Sequence, residues 1–198
     1  MGFFISNELL STLSLEKQKR AKFLVNADIT LIVFFVLAGL MTGISTNNIY
    51  FGLPVILLNI ILGISLYLIK KGKLVAASSL TLFDVFLNVT LVVIALPYAH
   101  YLEMYRYLTY MISLLLLSSL ISFHKYQQFM IGAGEFILFN AAVIIKVFPN
   151  VEGLVGEVRS SYYSGNAAII VATVLSVLIS SFSKSLVRTA EEEKEKNL

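Results

Sequence analysis

The chain has 198 residues, of which 58% are hydrophobic and 14% charged, with a mean hydropathy of +0.84. That leaves too little polar surface to cover a soluble domain. Cysteine is absent, so disulfides and thiolate metal sites are excluded. The two histidines, His100 and His124, fall at opposite ends of the spans read below, and no metal, cofactor or catalytic residue is expected. The net charge of +3 has a topological explanation and does not call for nucleic acid.

The apolar residues gather into blocks of the length that a bilayer core requires. The expected fold class is therefore an all-α integral membrane protein, a six-transmembrane-helix bundle. Residues 1–26 read as a cytoplasmic lead-in. There Phe3, Phe4, Ile5, Leu9, Leu10 and Leu13 precede a basic cluster, the pattern of a short helix lying in the cytoplasmic interface among membrane lipids. Residues 27–187 hold the spans, at about 27–46, 50–69, 74–96, 104–123, 127–148 and 166–186. The links TNN, KKGK and HKY suit antiparallel hairpins. PNVEGLVGEVRSSYYSG reads as an outer loop with one short surface turn. Residues 188–198 are expected to start a cytoplasmic signalling helix that this sequence truncates.

Orientation follows from lysine and arginine. Lys17, Lys19, Arg20, Lys22, Lys70, Lys71, Lys73, Lys125, Lys184, Arg188, Lys194 and Lys196 share one side if the spans number six. An odd number would split them between the two faces. The positive-inside rule then puts both termini in the cytoplasm of a cell with this chain in its inner membrane.

Four side chains deep in the spans need explanation, Asn59, Asp84, Asn88 and Glu135, and Asn140 follows Glu135 by about a turn and a half. Asp84 and Asn88 share a helix face. No lysine or arginine lies near the middle of any span. The carboxyls are therefore expected to face the bundle interior, neutral, hydrogen-bonded to Asn, Ser or Tyr, or holding a proton or cation. A register-fixing hydrogen-bond cluster is the simpler role for the asparagines. Asp28 is expected near the start of the first span, close to the positive helix end or Lys22. Gly39 and Gly43 form a GxxxG that allows close helix approach.

Eight of the ten tyrosines fall at or near the outer face, an imbalance that an interfacial girdle alone does not produce. The stretch PYAHYLEMYRYLTY surrounds Arg106 with rings. Tyr98, His100, Tyr101, Tyr105, Arg106, Tyr110, Arg159 and Tyr162 are the candidates for binding a small ligand with apolar and anionic parts. The alternative is a tyrosine belt with a local Glu103–Arg106 pair.

The last span is rich in serine and continues without Pro or Gly into SLVRTAEEEKEKNL, where Glu192 and Lys196 have the favourable i, i+4 order. The basic lead-in SLEKQKRAKFLV, six spans with short inner loops and the departing segment FSKSLVRTAEEEKEK resemble the six-helix membrane modules of bacterial signalling proteins: class III adenylyl cyclase anchors, sensor histidine kinases and six-span chemoreceptors. The resemblance lies in layout over the whole chain. It implies a homodimer whose sixth helix carries a signal to a cytoplasmic signalling domain in cis. The other function class is a small proton- or cation-coupled transporter or channel using Asp84 and Glu135. An intramembrane enzyme ranks last, since neither HExxH nor GxSxG occurs.

The topology is open to a direct check because the chain has no cysteine of its own. In intact cells a membrane-impermeant maleimide should label Asn48→Cys, and should reach Lys71→Cys or Lys125→Cys only after lysis. The reverse pattern would invert the orientation.

Overall fold

The computed structural model describes residues 5, 11–45, 47, 52–95, 103–150 and 155–196. They form six α-helices: α1 Leu15–Ser45, α2 Leu53–Lys70, α3 Leu74–Ala95, α4 Glu103–Ile121, α5 Lys125–Ala142 and α6 Val155–Lys196. Helix α5 continues as a π-turn, Val143–Val147, and a 3-10 turn, Phe148–Asn150. Five helices are long and apolar enough to cross a membrane; in α4 the apolar stretch, Tyr105–Ile121, is shorter. This is the build of a multi-pass membrane protein. Apart from Ile5, the first ten residues, which carry most of the expected interfacial helix, lie outside the described residues.

Two helices start earlier than hydropathy alone predicts. Helix α1 takes in the basic cluster, because LEKQKRAKFLVN contains no Gly or Pro and strong helix formers carry the α1 backbone through it. Arg20 is consequently buried. Its Nε pairs with Glu16 Oε1 at 2.8 Å, one turn away, and its Nη1 donates to the Ser122 carbonyl. Asp28 is thirteen residues into α1, far from the helix start, so the expected dipole interaction is replaced by side-chain partners described below. Helix α6 begins at Val155, so most of the expected outer loop is helical. The charged and tyrosine-rich residues of that segment oppose membrane insertion but not helix formation.

The chain divides into two compact units: residues 1–84, 120–123 and 181–198, and residues 85–119 and 124–180. In the first, α1 packs on α2 with Leu24, Val25, Leu62, Leu66 and Ile69 buried. Close approach is set by glycine: a methyl group on Gly52 would overlap the Gly39 backbone. Helix α2 ends in a Schellman turn. Gly72, at φ 75°, donates to the Ile69 carbonyl at 2.9 Å, and Lys73 to the Leu68 carbonyl at 2.9 Å. In the second unit, Tyr107, Met111, Leu115, Phe139, Val143 and Ile169 form one apolar cluster.

Burial runs opposite to that of a soluble protein. Phe34, Met41 and Ile44 of α1 and Ile170, Val174, Leu178 and Phe182 of α6 are exposed, whereas Asp28, Ser65, Thr81, Asp84, Gln128 and Glu135 are wholly buried. Hydrocarbon around the helices accounts for both halves of this distribution.

Gly52→Ala should force α1 and α2 apart, at a cost of about 1–3 kcal/mol. Gly72→Ala should cost about 1–2 kcal/mol through its left-handed backbone. Both are read as lowered thermal midpoints by circular dichroism in detergent.

Candidate functional site

Three helices of the first unit bring oxygen atoms together. Asp28 of α1 accepts hydrogen bonds from Ser65 of α2, Oγ to Oδ2 at 2.7 Å, and from Thr81 of α3, Oγ1 to Oδ1 at 2.7 Å. The two hydroxyl oxygens are 3.0 Å apart. They also approach the Ala77 carbonyl, at 3.1 Å from Ser65 and 3.2 Å from Thr81. Asp28, Ser65, Ala77 and Thr81 are all fully buried. Asp84, one turn beyond Thr81 and equally buried, lies within electrostatic reach of Asp28. Sequence reasoning passed over Ser65 and Thr81. The signal available was their company: Ser65 is the one aliphatic hydroxyl of α2, and Thr81 precedes Asp84 by a helical turn on α3.

The five intramembrane polar residues divide between the units. Asn59 and Asp84 belong to the first; Asn88, Glu135 and Asn140 belong to the second. Asn59 donates to Val55 of its own helix at 3.5 Å, a marginal hydrogen bond. Asn88 is buried. Glu135 is wholly buried, and neither carboxyl oxygen has a hydrogen-bond partner among the described residues. The same holds for the side-chain amide of Gln128, two turns earlier on α5.

Asn140 joins α5 to α6. Its Nδ2 donates to Asn166 Oδ1 at 2.8 Å and to the Phe136 carbonyl at 2.7 Å, and its Oδ1 accepts from the Tyr162 hydroxyl. Asn166 Nδ2 in turn donates to the Tyr162 carbonyl at 3.1 Å. The Tyr162 ring stacks on Phe139 at 6.3 Å and meets Phe148 edge-on at 5.5 Å. A second link joins α4 to α6, where Tyr105 Oη and Ser161 Oγ are 3.2 Å apart. A third is the buried pair Ser118–Ser176 at 3.1 Å. Asn166 and Ser161 drew no notice in the sequence, since an isolated Asn or Ser at a span end looks like ordinary interfacial polarity.

Of the ligand candidates, Tyr98, His100 and Tyr101 lie outside the described residues. Tyr105 and Tyr110 are half exposed, Arg106 and Arg159 exposed, and Tyr162 partly buried. Tyr105 and Tyr162 bond directly to a neighbouring helix. Lys146 places two donors on the last turn of α3: Nζ reaches the Val93 carbonyl at 2.7 Å and that of Ile94 at 2.6 Å. A cation at a helix C-terminus is well placed. An apolar groove of about 510 Å³ runs between α5 and α6, lined by Phe129, Gly132, Phe136, Ile170, Thr173 and Val174 among others.

Tyr162→Phe and Asn166→Ala should each cost about 1 kcal/mol of stability in detergent. Because both partners act through Asn140, their effects should fall short of additive in the double mutant. Additive losses would mean that the three residues do not form one network. Compared with protein-family models, with curated proteins and with solved structures, the chain matches none.

Proposed function

We propose that the chain is the membrane module of a signal-transducing receptor, with α6 as the transmitting element. The observation that carries this reading is the continuity of α6, an unbroken helix of 42 residues. At 1.5 Å per residue that is about 63 Å, roughly twice the thickness of a bilayer's hydrocarbon core. Near its start the helix is bonded through Ser161, Tyr162 and Asn166 to α4 and α5. A ligand that competes for Tyr105 or Tyr162 therefore acts on α6 itself. Each such bond is worth about 1 kcal/mol, which shifts a two-state equilibrium about fivefold. That is enough to bias packing without locking it, provided the ligand binds one packing state better than the other.

In this reading six helices span the inner membrane with both termini in the cytoplasm, as the basic residues direct. The tyrosine-rich ends of α4 and α6 face outward to an extracytoplasmic or membrane-borne ligand. Two copies pair, and the cytoplasmic end of α6 serves a signalling domain in cis, the layout of the six-helix modules that the sequence resembles. A second reading is favoured by one specific observation, the full burial of Asp84 and Glu135. Carboxyls so placed are the usual equipment of a proton- or cation-coupled transporter.

Spin labels on a single cysteine at Glu193, which is exposed, report on the end of α6 in liposomes. Tyr162→Phe or Tyr105→Phe should change the label-to-label distance distribution between paired copies. A distribution unmoved by both substitutions removes the signalling reading. Solute flux that Asp84→Asn abolishes would then assign the chain to transport.

A further inference from the structure

We propose that Asp28, Ser65, Thr81 and the Ala77 carbonyl form a binding site for one dehydrated sodium ion where α1, α2 and α3 meet. The donor set is all oxygen: a carboxylate, two hydroxyls and a main-chain carbonyl, the ligands of a hard cation. They come from three helices, so the fold assembles them and no local turn does.

Hydrogen counting is the first argument. Two hydroxyl hydrogens are available, and the 2.7 Å contacts to Oδ1 and Oδ2 of Asp28 use both. The Ser65–Thr81 approach at 3.0 Å and the approaches to the Ala77 carbonyl at 3.1 and 3.2 Å then have no hydrogen left. Four side-chain oxygen atoms share two hydroxyl hydrogens, and the Ala77 carbonyl, which already accepts a backbone N–H within α3, keeps one lone pair free. A cation at their centre satisfies all five at once.

Charge is the second. Asp28 is fully buried and forms no ion pair with a described residue; the buried cation of α1, Arg20, is engaged with Glu16 and the Ser122 carbonyl. Asp84 of α3 lies within electrostatic reach of Asp28. An ion at Asp28 balances one carboxylate when it carries a single charge. Magnesium and calcium fit less well, because magnesium keeps waters and calcium takes six to eight oxygens, while the Asp28 cage offers five and is closed to solvent. Potassium is too large for oxygens spaced 2.7–3.2 Å apart. Sodium, the smaller ion, demands the smaller outward shift of these oxygens.

The test uses the full chain in detergent, at constant ionic strength, in NaCl, KCl or choline chloride. Thermal unfolding by circular dichroism should show a saturable rise in midpoint with sodium and none with potassium or choline, since a ligand bound to the folded state alone stabilises it by mass action. Thr81→Val and Ser65→Ala should each raise the sodium concentration at half-effect by about tenfold or more, and Thr81→Ser, which restores the hydroxyl, should return it. Asp28→Asn should remove the sodium dependence; if that variant fails to fold, the Thr81→Val and Thr81→Ser pair decides. Equal midpoints in all three salts, sodium dependence unchanged in Thr81→Val, or stabilisation by magnesium or calcium alone would each overturn the proposal.

Discussion

A polar atom surrounded by hydrocarbon must find its partner within the protein, and that requirement organises this molecule more than any apolar contact does. Leucine gains little by leaving lipid for protein, so the apolar side chains of α1 and α6 can remain outside. What draws helices together is the cost of leaving Asp28, Ser65, Thr81, Asn140 or Tyr162 unpaired. Each of these residues bonds to a different helix from its own. Glycine then sets how near the backbones come, as at Gly39 and Gly52.

The same requirement separates the two kinds of polar cluster. Around Asn140, neutral amides and a phenol exchange ordinary hydrogen bonds. Such bonds are modest and can be remade, which suits residues that tie α6 to its neighbours. Around Asp28 two hydroxyls, one from α2 and one from α3, meet the two oxygens of a buried carboxyl. A network of that kind is costly unless a cation or a proton completes it.

Most of the architecture was legible in the sequence, because membrane spans announce themselves through long apolar runs. Helix number and the approximate limits of α2, α3 and α4 follow from that signal alone. The starts of α1 and α6 do not, because hydropathy reports what lipid accepts while the backbone follows helix propensity. LEKQKR and VGEVRSSYY are poor membrane residues but form helix here. At the candidate site, Asp84, Glu135, Asn140, Tyr105 and Tyr162 stood out as unusual for their depth or their company. Their partners did not. Ser65, Thr81, Ser161 and Asn166 are common residues in membrane helices, and only three-dimensional proximity gives them significance. Asp28 was visible as an acid in an apolar run. Its role was obscured because the position of the helix start was read too late in the chain.

The π-turn at Val143–Val147 has a further consequence. Phe139 and Phe148 are nine residues apart, and at about 100° per residue they would stand on opposite sides of a regular α-helix. Both nevertheless touch the ring of Tyr162. The wider winding supplies part of the missing rotation, so a single aromatic side chain of α6 is clasped by two rings of one helix, one stacked on it and one edge-on. The phase of α5 changes at that point: residues that precede the turn and residues that follow it obey different helical wheels. An inserted or deleted residue between them would be felt as a rotation of one jaw of the clasp.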